Sequence, residues 1–204
     1  QMNVSNSQGN TPLHYAVAGR GSLFIVEELS QQRGININPP NKNGNTPLHM
    51  ACMKNKSDAI VEYFVSRGDV NTHACNNEGN SPLHLACIQG VFTIVELFIS
   101  CLPDEKLSLP NHEGNTPLHL AFLHGHFDIA RLFLDQTKEV DELARNHMGL
   151  TPLLAAAATT GAASELDFLY VMLLHSGGTL LGPSWTTTTK TLKRNHPSSE
   201  CTNE

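Results

Sequence analysis

The hexapeptide Gly9-Asn10-Thr11-Pro12-Leu13-His14 decides how this chain folds, because it returns along the sequence at a constant interval. Three close copies and one variant follow it, starting at Gly44, Gly79, Gly114 and Gly149. Each copy starts 35 residues after the one before. Such a period predicts a repeat protein in which every unit packs against its neighbours. The five units are residues 6–40, 41–75, 76–110, 111–145 and 146–181.

The hexapeptide has the features of a turn followed by the start of a helix. Its Gly suits a turn that needs a positive φ angle. The Thr or Ser that follows is a preferred N-cap residue, and Pro is favoured at the first helical position because its missing N–H is not needed there. Leu begins the buried face, and a small residue three positions later allows a neighbouring helix to approach. We therefore predict a helix that starts at the Pro of every unit.

A second apolar pattern with helical spacing follows in each unit. In unit three it reads Thr93-Ile94-Val95-Glu96-Leu97-Phe98, and in unit five it is delayed to about residues 165–175. An Asn stands three residues before each motif Gly, and Asn side chains bond to nearby backbone groups in turns. Each unit is thus predicted to contain two helices and a polar turn. Units three and four lack a Gly after the second helix, so we expect altered turns with an extra helical turn there.

These units resemble the ankyrin repeat, whose pattern contains Gly-x-Thr-Pro-Leu-His, a short turn and a second helix. The resemblance covers about residues 3–180 and implies an all-α fold with short β-hairpin fingers, an ankyrin-repeat α-solenoid. The family pattern has an Asp where all five units have the turn Asn, which removes negative charge from the fingers. The resemblance also implies that the motif histidines bond neighbouring groups and fix the fingers. These are His14, His49, His84 and His119.

The resemblance implies a module that binds a partner protein. Two alternatives stay open: a regulatory or inhibitory ankyrin module that masks a partner's site, and the targeting arm of a larger enzyme. The sequence contains no GxSxG, P-loop, dinucleotide-binding or HExxH motif. We therefore predict no enzymatic activity, no catalytic residue and no cofactor.

The charge and the cysteines limit the partners and the compartment. The net charge of −6 disfavours binding to nucleic acid or to an anionic membrane surface, and no run of about 18 apolar residues is present to insert into a bilayer. Five cysteines without a Cys-x-x-Cys pair indicate free thiols in a reducing compartment. We expect an intracellular, cytoplasmic monomer, with the nucleus as the alternative location. Residues 182–204 are polar and aperiodic, which predicts a disordered tail.

Eleven histidines raise the question of a metal site. Four of them are the motif histidines, which the resemblance assigns to structure. His124 and His126 form a short pair, but no Cys or acidic residue stands at zinc-site spacing from them. We therefore predict no metal site.

Ankyrin proteins usually bind through the finger tips and the exposed side of the first helices, which together line a concave groove. On the fingers, this implies the residues after the turn Asn and before each cap: Lys42, Asn43, Asn45, Asn77, Glu78, Asn80, His112, Glu113 and Asn115. On the first helices, it implies the slot two positions after the buried Ala and the residue that follows: Met53, Lys54, Ile88, Gln89, Leu123 and His124.

Three of these positions attract particular interest because they are apolar where the family is commonly polar. Met53, Ile88 and Leu123 occupy the same slot in three consecutive units. If exposed, they form a contiguous apolar stripe, which is a plausible recognition surface. The alternative is that they are ordinary packing residues buried between neighbouring helices.

Overall fold

The computed structural model of the chain describes residues 3–19, 22–53, 58–136 and 141–160. All of these residues lie in one compact unit, residues 1–161. The second helix predicted for unit five, the domain boundary predicted near residue 181 and the tail predicted from residue 182 lie outside the described residues.

Each unit places a first helix directly after its hexapeptide. The first helices are α1 (Pro12–Ala18), α3 (Pro47–Cys52), α5 (Pro82–Gln89), α8 (Pro117–Leu123) and α10 (Pro152–Thr160). All five begin at the motif Pro, as predicted. The preceding residue, for example Ser81 with φ −80° and ψ 168°, has the extended conformation of an N-cap.

A second helix follows in the first four units. These helices are α2 (Leu23–Ser30), α4 (Asp58–Val65), α6 (Phe92–Cys101) and α9 (Phe127–Gln136). The extra helical turn expected after α6 is present as α7 (Asp104–Leu107), where Pro103 follows the end of α6 and starts the new turn. The corresponding segment of unit four, residues 137–140, lies outside the described part of the chain.

The helices form two rows. The first helices contact one another in chain order, α1 to α3 to α5 to α8 to α10, and α2, α4, α6 and α9 do the same in the second row. The core contains the motif Leu residues of the first four units and one Phe from each of α4, α6 and α9, and Phe64, Phe98 and Phe133 are at most 1% exposed. None of the described helices has both the length and the apolar character required to cross a membrane.

The turns between units, which we call fingers, depend on the motif Gly. Gly79 has φ +78°, and a Cβ atom on it would lie 2.5 Å from the backbone N of His112 in the next finger. Glycine is therefore required both by the positive φ and by the close approach of the neighbour. Adjacent fingers are joined by backbone bonds such as the one from the Asn77 N–H to the Asn43 carbonyl, 3.0 Å long. The described fingers contain no strand, so the predicted β-hairpins are corrected to stacked turns.

Candidate functional site

The fingers are held in place by the motif histidines. In unit three, Nδ1 of His84 lies 3.1 Å from the backbone N of Ser81 and 2.8 Å from its hydroxyl. Because a backbone N–H only donates, Nδ1 must accept and carries no proton. Nε2 therefore carries the proton and donates to the carbonyl of Asn115 in the next unit, at 3.1 Å. One neutral tautomer thus joins the start of a helix to the following finger.

The same arrangement repeats along the array. His14, His49 and His119 donate through Nε2 to the carbonyls of Asn45, Asn80 and Leu150. Burial lowers the pKa of His84 to about 4. Burial also lowers the pKa values of His14, His49 and His119. The four rings are therefore neutral at physiological pH, as this hydrogen bonding requires.

The turn asparagines form a second connection between units. Oδ1 of Asn76 accepts the backbone N–H groups of Glu78 and Asn80, at 3.0 and 2.9 Å. Its Nδ2 donates to Oδ1 of Asn45 in the preceding unit, at 3.0 Å. Three further pairs repeat this contact: Asn41 with Asn10, Asn111 with Asn80, and Asn146 with Asn115. We call this row of contacts the asparagine ladder. An Asp at the turn position could not make these contacts, because a carboxylate has no proton to donate to the Oδ1 of the preceding unit.

This ladder removes three of the expected contact residues from the open surface. Asn45, Asn80 and Asn115 are 9%, 4% and 4% exposed, and their Oδ1 atoms are occupied by the next unit. The sequence places them beside the finger tips because they stand directly before each helix cap. The missed signal was the second Asn standing in register four residues after the first, which supplies the partner for the ladder.

The other expected finger residues are exposed. Lys42, Asn43, Asn77, Glu78, His112 and Glu113 all lie at the surface of three successive fingers. Two of them, Glu78 and Glu113, are oriented by hydrogen bonds from the buried asparagines. Asn80 Nδ2 donates to Oε2 of Glu78 at 2.9 Å, and Asn115 Nδ2 donates to Oε2 of Glu113 at 3.0 Å. The buried asparagines therefore position charged groups that a partner can reach.

The expected helix residues lie at or just beyond the ends of α3, α5 and α8. Met53 is 40% exposed, and Ile88 and Leu123 are half-buried. Gln89 and His124 are exposed, while Lys54 lies outside the described residues. None of these three apolar side chains is fully buried.

His126 is a residue of this region whose role was not foreseen. Its Nε2 donates to the carbonyl of Ile88 at 3.2 Å and so joins unit four to the end of α5. Its ring also packs on Gly90, where any Cβ atom would collide with it. His124 presents its ring to His126 in a nearly parallel arrangement, with centroids 6.5 Å apart. Among the described residues, no three His, Cys, Asp or Glu side chains come together in a geometry suited to a metal ion.

Comparison with known proteins gives the architecture its family. A family model described as ankyrin repeats matches three overlapping segments, residues 17–108, 54–143 and 93–177. The chain belongs to the ankyrin-repeat family. A search of curated proteins found no match. Ankyrin repeats generally act as protein–protein interaction modules and are typically non-enzymatic.

Proposed function

We propose that this ankyrin protein binds a partner protein through the groove over units two to four, between the finger tips and the first helices. The observation that carries the proposal is the partial exposure of Met53, Ile88 and Leu123, which would form an apolar stripe along the groove. These residues occupy equivalent positions on neighbouring helices and keep part of their surface in solvent. When a partner removes a row of partly exposed apolar side chains from water, the free energy of the system falls and binding is favoured.

The finger tips supply polar contacts beside this stripe. Glu78 and Glu113 are exposed carboxylates whose second oxygens are held by buried asparagines, so little side-chain freedom is lost when a partner binds. Lys42 lies on the preceding finger and carries the opposite charge. This distribution favours a partner segment with apolar side chains for the stripe and basic groups for fingers three and four.

The test is recovery of partner proteins from cell extract by the wild-type chain and by an Ile88→Asp, Leu123→Asp variant. We expect the variant to lose the partners, because two carboxylates would be placed in an apolar interface. A Thr93→Asp, Ser100→Asp variant is the control, since it adds the same charge at exposed positions of α6. Equal recovery by both variants, with melting temperatures that show both are folded, would count against the groove.

A further inference from the structure

Unit one has an open face whose equivalent is largely covered in units two to four. Its second helix exposes 48% of Ile25, whereas the equivalent Ile60, Ile94 and Ile129 are 5%, 0% and 0% exposed. Its first helix exposes 58% of Tyr15, whereas the equivalent Met50 is half-buried and Leu85 and Leu120 are 7% and 6% exposed. In units two to four, the helices that carry these positions pack against the helix pair of the preceding unit.

The backbone of unit one also has groups that lack the contacts made by their equivalents in the later units. The carbonyls of Asn45, Asn80, Asn115 and Leu150 each accept a histidine Nε2–H from the preceding unit. Within the described residues, the equivalent carbonyl of Asn10 accepts only the N–H of Asn6. The N–H groups of Lys42, Asn77, His112 and His147 donate to the preceding finger, and the equivalent N–H of Ser7 has no partner in the described part of the chain.

The asparagine ladder also stops here. Nδ2 of Asn6 donates to the hydroxyl of Tyr15, 2.6 Å away, instead of to an asparagine of a preceding unit. Tyr15 therefore satisfies the amide in the absence of a neighbour, but its own ring remains largely in solvent.

Asn3 indicates what belongs on this face. It accepts the N–H of Asn36 and donates to the carbonyl of Gly34, both at 2.9 Å. Asn38, 35 residues later, makes the same two contacts with Asn71 and Asp69, both at 2.8 Å. Asn38 belongs to the segment that trails the second helix of unit one. Asn3 therefore makes the contacts with unit one that Asn38, in the segment after the second helix of unit one, makes with unit two.

We infer that the face of Tyr15, Ile25 and the Asn10 carbonyl is a docking surface for a further helix pair of the ankyrin type. This helix pair would present small or apolar side chains to Tyr15 and Ile25. Its motif histidine would donate through Nε2 to the carbonyl of Asn10, and a carbonyl of its finger would accept the N–H of Ser7. The surface continues the interface already present between each pair of neighbouring units. It shares no residue with the groove, so it stands independently of the proposed partner site.

The test extends the chain by one unit. Residues 6–40 are duplicated ahead of Asn6, in place of residues 1–5, so that the trailing Asn38 of the copy takes the position of Asn3. Docking should slow amide hydrogen exchange in α1 and α2 of the original unit by at least about tenfold. A second extension built from residues 41–75 guards against an unsuitable copy, and failure of both to slow exchange overturns the inference.

Two neighbouring exposed residues provide a matched comparison. In the extended chain, Ile25→Asp in the original unit should abolish the added protection, because the side chain would be buried by the docked helix pair. Phe24→Asp should retain it, since the equivalents Ala59, Thr93 and Asp128 are exposed in units that have a predecessor. Equal effects of the two substitutions overturn the inference.

Sedimentation of the parent chain distinguishes a different occupant. The inference predicts that the parent stays the same size over a wide concentration range. A concentration-dependent dimer that Ile25→Asp dissociates would show that a second copy occupies the face, and this result also overturns the inference.

Discussion

At the scale of single residues, neutral side chains connect the units. Asn76 shows the principle, because one side chain accepts two backbone N–H groups in its own finger and donates to Asn45 in the preceding one. His84 does the same in the other direction, since it caps its own helix and donates to the next finger. Each unit therefore depends on its neighbours for polar contacts as well as for apolar packing.

Replacing Asn76 by Ala tests the ladder. The substitution leaves two finger N–H groups and the Oδ1 of Asn45 without their partner, so we expect a loss of about 1–3 kcal/mol in the free energy of unfolding. Asn43→Ala is the matched control, because it removes an exposed Asn from the neighbouring finger and should change stability by less than about 0.5 kcal/mol. Urea unfolding measures both, and similar losses in the two variants would show that the ladder contributes nothing.

The sequence predicted these residues unevenly. The Thr-Pro-Leu-His register located every first helix, because capping and the fixed φ of Pro act within four residues. The ladder was not predicted, since it depends on which of two asparagines 31 residues apart faces the other. For the same reason, Asn45 was expected on the open surface although it is buried. Polarity predicts a need for hydrogen bonds but not whether water or protein supplies them.

At the scale of helices and turns, His126 joins the turn between α8 and α9 to the end of α5. Gly90 ends α5 with φ +70°, and the His126 ring fills the space above it. Gly125 occupies the same position in unit four with φ +73°, but apart from its chain neighbours no atom of the described residues lies within 4 Å of the place where its Cβ would be. The two glycines thus share a backbone conformation and differ in packing.

This difference gives a prediction for two alanine variants. Both Gly90→Ala and Gly125→Ala introduce the left-handed backbone penalty of about 1–2 kcal/mol. Gly90→Ala should destabilise the protein further because the new methyl group displaces His126. Adding His126→Ala should recover part of that excess in Gly90→Ala and none in Gly125→Ala. Thermal unfolding of the wild type and these four variants checks this prediction. Equal losses of stability for the two single glycine variants would contradict it.

At the scale of the whole molecule, four buried histidines make stability depend on pH. The pKa of His84 is about 4 in the folded protein against an ordinary value of 6.5. Between these values the unfolded chain binds more protons, so the free energy of unfolding should fall as the pH falls from 6.5 towards 4. Each such histidine adds a slope of up to ~1.4 kcal/mol per pH unit.

A glutamine variant isolates one of these groups. Gln at the third helical position still reaches back to the N-cap N–H, so His84→Gln retains a capping box but does not titrate. Its unfolding free energy should therefore depend less steeply on pH between 6.5 and 4 than that of the wild type. Identical slopes would show that His84 is not one of the groups responsible.

We propose that a partner protein lies in the groove along Met53, Ile88 and Leu123. The most direct measurement places a photo-crosslinking amino acid at position 88, and in a second protein at position 93 on α6, and irradiates both in cells. We predict that a partner protein is crosslinked from position 88 and not from position 93. Crosslinks from position 93 with none from position 88 would contradict the claim.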